Sequence, residues 1–255
     1  MARHGRARLR RGTAMRGEVI QSVAVAQKAR QCMAKASGTI SMGKLVRVHC
    51  KSREEWLDCR SSQGIGASEA AVVAGVSSFM TVNELWNIKT GKASLKDLSD
   101  NEFVSKGVRM EPALRVLYKT IHPEYKISHH PYDMLYQKEH PFIFATLDGE
   151  ISDGERKGIL EIKTSTPNGK AGWDNWNEQV PQGYYVQICH QLNATGFDFA
   201  VLFAALFGRE GDMVIREYRF EREDCLDDMK WLLEKAESFW QSVQTETIPP
   251  TTILF

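Results

Sequence analysis

Two apolar runs with acids embedded in them restrict the fold more than any other feature of the chain. HPFIFATLDGEIS covers 140–152, KGILEIKTS covers 157–165, and Asp153-Gly154-Glu155-Arg156 lies between them. β-Branched and aromatic residues favour strands, and Asp-Gly linkers favour tight reversals, so the pattern predicts a β-hairpin. Centring the register on the turn pairs 152 with 157, 150 with 159 and 148 with 161. Side chains alternate along a strand, so Glu161 and Lys163 share one face while Leu160 and Ile162 point into the core. Asp148 and Glu161 then stand across from each other on one face. Facing carboxylates repel unless a cation lies between them, and hard oxygen donors point to Mg²⁺, with Mn²⁺ as a substitute. Lys163 adds a positive group that can orient a water, help deprotonate it, or steady charge on a phosphate. A plain surface hairpin with cross-strand ion pairs is the alternative. Acids set inside strongly apolar strands favour the functional reading.

The rest of the body reads as mixed α and β. SREEWLDC at 52–59 looks like a helix start, with Ser52 as cap and Glu55 three positions later. GIGASEAAVVAG at 64–75 reads as a glycine-rich turn leading into an alanine-rich helix, and 81–90 as a short helix stopped by Gly91. Residues 101–121 carry apolar positions at a helical period. Helical texture returns at 176–195, broken near Val180 and Pro181. Strands are expected at 199–206 and 214–221, and an amphipathic helix at 223–244. Trp173 and Trp176, in the Gly/Asn-rich stretch 168–177, suit contact with an unstacked base or packing in the core.

Charge is unevenly spread. The first 47 residues hold 11 Lys and Arg and one acid, and the remainder holds 22 against 31. An acid-rich body cannot hold nucleic acid by bulk attraction, so any contact must be a local basic surface. Residues 1–45 are read as a basic, disordered extension and 46–255 as the folded domain. The extension fits three descriptions: a phosphate-gripping arm, a targeting peptide, or residues ahead of a start at Met42. Residues 18–36 have the composition of a short helix without an apolar stripe. The five cysteines show no CxxC pair or ligand spacing, which speaks against disulfides, structural zinc and an iron–sulfur cluster and for a reducing cytoplasm. No run approaches the roughly 20 apolar residues that span a bilayer.

Five segments in order resemble the lambda exonuclease and YqaJ-type viral recombinase family of the PD-(D/E)XK nuclease superfamily. They are Arg60 with GIGASEAA, then KGVRMEPAL, TLDGEIS, GILEIKTS and YYVQICHQLNATG, together spanning about 60–196. The resemblance implies a restriction-endonuclease-like α/β core, a central mixed β-sheet flanked by helices. It makes Asp148 and Glu161 metal ligands and Lys163 the water-activating group, with Glu111 completing the site from a helix and Gln187 beside it. It gives Arg60 and Ser68 a terminal 5′-phosphate, although their spacing is one residue longer than the family's. Gly64 and Gly66 are also placed to offer backbone N–H groups to a phosphate. A further family carboxylate has no clear counterpart, and Glu139 and Asp133 are the candidates. His190 reads as structural.

The activity implied is Mg²⁺-dependent 5′→3′ digestion of linear double-stranded DNA, leaving 3′ single-stranded tails for recombination. A ring-shaped homotrimer and a single-strand annealing protein as partner are implied with it. Two other readings stand beside this one. The first is an endonuclease or repair nuclease on the same core. The second is a non-catalytic DNA-binding or assembly module on a degenerate nuclease fold, which the intact Asp148, Glu161 and Lys163 disfavour.

Overall fold

The computed structural model describes residues 38–42, 44–95, 98 and 100–249. The expectations for the arginine-rich start and for a helix at 18–36 lie outside the described residues. The chain opens with β1 (Gly38–Met42), β2 (Leu45–His49), α1 (Arg53–Gln63), β3 (Ile65–Gly66), a 3-10 turn (Ala67–Glu69) and α2 (Ala70–Val73). It continues through α3 (Val82–Lys89), α4 (Glu102–Ile121), β4 (Lys126–Ser128), β5 (Asp133–Gln137), β6 (Ile143–Phe144), β7 (Gly149–Ser152) and β8 (Lys157–Ser165). Then come α5 (Gly169–Asp174), α6 (Gln182–Thr195), β9 (Phe199–Phe207), β10 (Met213–Glu221), a second 3-10 turn (Arg222–Cys225) and α7 (Leu226–Gln244).

The central sheet runs β10-β9-β8-β7-β4, with β8 and β9 parallel and the other neighbours antiparallel. This is the mixed sheet expected. The hairpin register also agrees, with Ser152 opposite Lys157 and Glu150 opposite Ile159. Helices cover both faces. Leu160 and Ile162 pack with Leu114 and Tyr118 of α4, while Ile159 and Ala200 pack with Val186, Ile188 and Leu192 of α6. Gly107 lets α4 approach β8, because a Cβ there would lie 3.1 Å from the Thr164 hydroxyl oxygen. β9 is buried along nearly its whole length, as its unbroken apolar run requires of a strand covered on both sides.

Helix starts follow their caps. Ser52 accepts from the Glu55 amide, Thr81 from the Glu84 amide, and Asn101 from Phe103 and Val104. Such caps satisfy amides that have no partner within the helix.

Three expectations need correction. HPFIFATLDGEIS is not one strand: β6 pairs with β3, Ala145 bridges Leu135, and the chain bends before β7 begins at Gly149. The glycine-rich turn at 64–66 does lead into a helix, Ala70–Val73, by way of a 3-10 turn, whereas the helix expected from 176 begins at Gln182, after the separate α5. Of the two readings of Trp176, packing holds: it is buried against Leu202, Tyr184 and Tyr218 and is not free to meet a base. A second sheet, β1-β2-β5, has no clear sequence signal and begins at Gly38, ahead of the boundary drawn at 45. Arg47 ties it to the central sheet, reaching Asp133 at 2.8 Å and Glu150 at 2.6 Å. No helix among the described residues is long and apolar enough to cross a membrane.

Candidate active site

Asp148 lies one residue before β7, just past the last rung of the ladder, Gly149 opposite Leu160. Its carboxylate takes over where backbone pairing stops, accepting from the Ile162 amide at 2.8 Å. That bond anchors Asp148 beside the segment carrying Glu161 and Lys163. Glu161 is 3% exposed, and a buried charge is tolerated only when every oxygen finds a donor. One oxygen accepts from Gln187 at 2.6 Å and meets the Lys163 ammonium at 2.6 Å. The other accepts from Gln191 at 2.5 Å. Gln187 and Gln191 are one turn apart on α6, so the helix presents both amides to one carboxylate. From sequence Gln191 is visible one turn beyond Gln187 but carries no assigned role; the structure gives it one. Its own carbonyl oxygen is buried without a hydrogen-bond partner.

Glu111 comes from α4, on the opposite face of the sheet, and is paired to Arg115. Arg115 in turn donates to the Asp148 carbonyl at 2.6 Å. Pro112 follows Glu111 and lacks the amide an ordinary helix residue would supply, so the helix is locally weakened beside this acid. Among the described residues, no three His, Cys, Asp or Glu side chains stand close enough together to hold a metal ion. The charges nevertheless sense one another. Burial, then Glu161 and Glu111, push the Asp148 carboxyl well above its ordinary range. Burial raises Glu111 too, with Glu161 adding to it against the pull of Arg115. Burial opposes a charge on Lys163, but Glu161 and Asp148 outweigh it and raise its pKa, so the amine holds its proton. Three mutually repelling carboxylates with oxygen donors make a set that suits a hard divalent cation. Asp148, Glu161 and Glu111 carry the oxygen donors such a cation takes, but they do not converge closely enough in this structure to form a ready-made site.

A second cluster gathers at the turn before α2. Arg60, near the end of α1, donates to the Ser68 hydroxyl at 2.5 Å, and its guanidinium lies 5.2 Å from the centre of the Trp56 ring. Trp56 donates to the Thr146 hydroxyl at 2.9 Å, two residues before Asp148, which links this cluster to the carboxylates. Gly64 allows the turn to run against Phe142, whose carbonyl oxygen a Cβ there would meet at 2.1 Å. His190, from α6, bonds the Ile65 carbonyl at 3.1 Å. Burial pushes its pKa down to about 4, so it is a neutral packing residue. The remaining acids stand apart. Asp133 is bound to Arg47 and His49, and Glu139 pairs with Lys44 at the surface.

The sequence pattern of the YqaJ-like viral recombinase domain family matches residues 55–198, a stretch that takes in both clusters. The uncharacterized protein YqaJ of Bacillus subtilis is 33% identical over 195 residues, which are 74% of this chain and 56% of that protein. The chain thus spans little more than half the length of that curated relative. Among solved structures, an alkaline exonuclease from Laribacter hongkongensis superposes with a TM-score of 0.56 at 22% identity, covering 76% of this chain and 94% of that one. Its complex with dAMP gives 0.55 at 21% identity, with the same shares covered. At such identities the likeness is one of fold.

Proposed function

The chain belongs to the YqaJ-like viral recombinase domain family, and from that premise we propose that it is a divalent-metal-dependent DNA exonuclease. The observation that carries the reading is the Asp148–Glu161–Lys163 cluster, with Glu161 buried and the other two partly so, at the mouth of the β7–β8 hairpin. The substrate is linear double-stranded DNA, digested 5′→3′ by hydrolysis of successive phosphodiesters to leave 3′ single-stranded tails. Mg²⁺ is the proposed ion, with Mn²⁺ able to replace it, and Asp148, Glu161 and Glu111 would hold it. When bound, a divalent ion neutralises charge on phosphate oxygens and makes water a better nucleophile at neutral pH.

The chain's own groups do the rest. Lys163, protonated between Glu161 and Asp148, places a positive charge where the attacked phosphate becomes more negative. Gln187 and Gln191 fix the orientation of Glu161. Arg60 and Ser68 bind the 5′-phosphate of the end, and Trp56 and Thr146 relate that anchor to the carboxylates. A ring-shaped homotrimer would keep an acid-rich protein on its duplex, and a single-strand annealing protein would receive the 3′ tail. The setting proposed is the cytoplasm of a bacterial or phage-infected host cell.

Digestion of duplex DNA with Mg²⁺ tests the reading. Loss of linear 5′-phosphorylated DNA with sparing of covalently closed circles is expected. Cutting of circles would replace it with an endonuclease on the same core, and no cutting with any divalent ion would overturn nuclease activity.

A further inference from the structure

Beneath Arg60 and Ser68 lies a salt bridge that no step above uses. The Lys89 ammonium, at the end of α3, is 2.9 Å from Glu69, with the two side chains 1% and 10% exposed. The same Glu69 oxygen accepts from the Gly66 amide at 2.8 Å. Lys89 also donates to the Arg60 carbonyl at 3.3 Å. One ion pair therefore joins the backbone of Arg60, the backbone of Gly66 and the end of α3. Ser68 sits between Gly66 and Glu69 in the same short turn.

Such a pair is an expensive way to fill space. Removing two charges from water is unfavourable, and apolar residues of similar volume are often as stable or more so. Its geometry also has an electrostatic consequence. Burial works against the Glu69 charge, but Lys89 and then Arg60 hold its pKa below the ordinary range. Glu69 thus feels both cations, and its contacting partner is Lys89.

We propose that Glu69 and Lys89 are positioning residues that set Arg60 and Ser68 as an anion clamp, so that recognition of a 5′-phosphorylated DNA end depends on a buried ion pair that never touches it. This rests on the end-recognition reading given above. Without Lys89, the Glu69 carboxylate competes with the incoming phosphate for Arg60, and the Arg60 backbone loses one of its anchors.

The test is the ratio of kcat/KM on 5′-phosphorylated to 5′-hydroxyl linear duplex, measured for the full chain and for Arg60→Ala, Lys89→Met and the double variant Glu69→Leu/Lys89→Met. The wild type favours phosphorylated ends, and Arg60→Ala sets the baseline without the anchor. Lys89→Met is expected to lower the ratio about tenfold, through a higher KM on phosphorylated ends, in keeping with the cost of small misplacements of a binding group. The double variant replaces the pair with apolar groups, keeps the fold by thermal melting, and still lacks the preference. It carries the test if Lys89→Met alone does not fold. A ratio kept in the double variant overturns the proposal, as does a fall of both rates together, which would assign the pair to stability alone. If Arg60→Ala loses the preference and the Lys89 variants keep it, only the positioning role falls. A wild type without preference removes the end-recognition reading and this proposal with it.

Discussion

Around the start of β7, three carboxylates (Glu111, Asp148 and Glu161) face Lys163 and Arg115. At the turn before α2, two cations (Arg60 and Lys89) face the single acid Glu69. The first region is short of positive charge and the second short of negative charge. Their partners differ in kind as well. Asp148 and Glu161 are held by amide groups from a strand and a helix, whereas Arg60 is held by a hydroxyl, an aromatic face and an ion pair under its backbone. On the proposed reading the first region would gather a cation and the second an anion, the two that a DNA end with its divalent ion would bring.

The largest effect should come from the first region. Lys163→Ala is expected to lower cleavage by about 10²–10³-fold while leaving DNA binding in a gel-shift assay largely intact. Near-normal turnover in that variant would break the division of labour. Arg60→Ala should cost less, about 10–100-fold on 5′-phosphorylated ends, the range of a charge-assisted hydrogen bond. Equal losses on phosphorylated and hydroxyl ends would show that Arg60 does not read the phosphate. Gln191→Leu removes one donor from Glu161 and should slow turnover roughly two- to tenfold in a steady-state assay. If turnover is unaffected, Gln187 and Lys163 alone suffice to hold Glu161.

The smallest effect is on stability, and its sign separates the regions. Burial and its neighbours raise the Asp148 carboxyl above its unfolded value, so the charged form weakens the metal-free fold near neutral pH. Asp148→Asn should therefore melt a few degrees higher than wild type without metal. The gap should close as pH falls and Asp148 takes up a proton. Glu69 runs the other way, because its pKa is depressed and its contribution is present above the unfolded value and lost as pH falls. Glu69→Gln should consequently lower the melting temperature at neutral pH, and the difference should shrink in acid. Melting curves across pH decide both.

Much of this was legible in the chain itself. The hairpin register followed from the Asp153–Arg156 turn and the alternation of Glu161 and Lys163 with Leu160 and Ile162, because both are local. The proximity of Arg60 and Ser68, and of Gln187 and Glu161, came with the family resemblance and is met in the fold. What escaped was nonlocal. The β1-β2-β5 sheet has strands of five residues, paired in part across a long stretch of chain, with too short a run to set a period. The break at 145–148 is forced by pairing of β6 with β3, which no local pattern announces. Lys89 did leave a trace, since it falls three and four positions after Trp86 and Leu85 on the buried side of α3. A lysine on that stripe signals a buried partner without naming Glu69.

The most direct test is calorimetric titration of Mg²⁺ into the wild-type chain and into Asp148→Asn, without DNA. Saturable binding by the wild type, lost or much weakened in the variant, is the predicted result. Equal binding by both proteins would place the ion elsewhere and contradict the assignment of this carboxylate cluster.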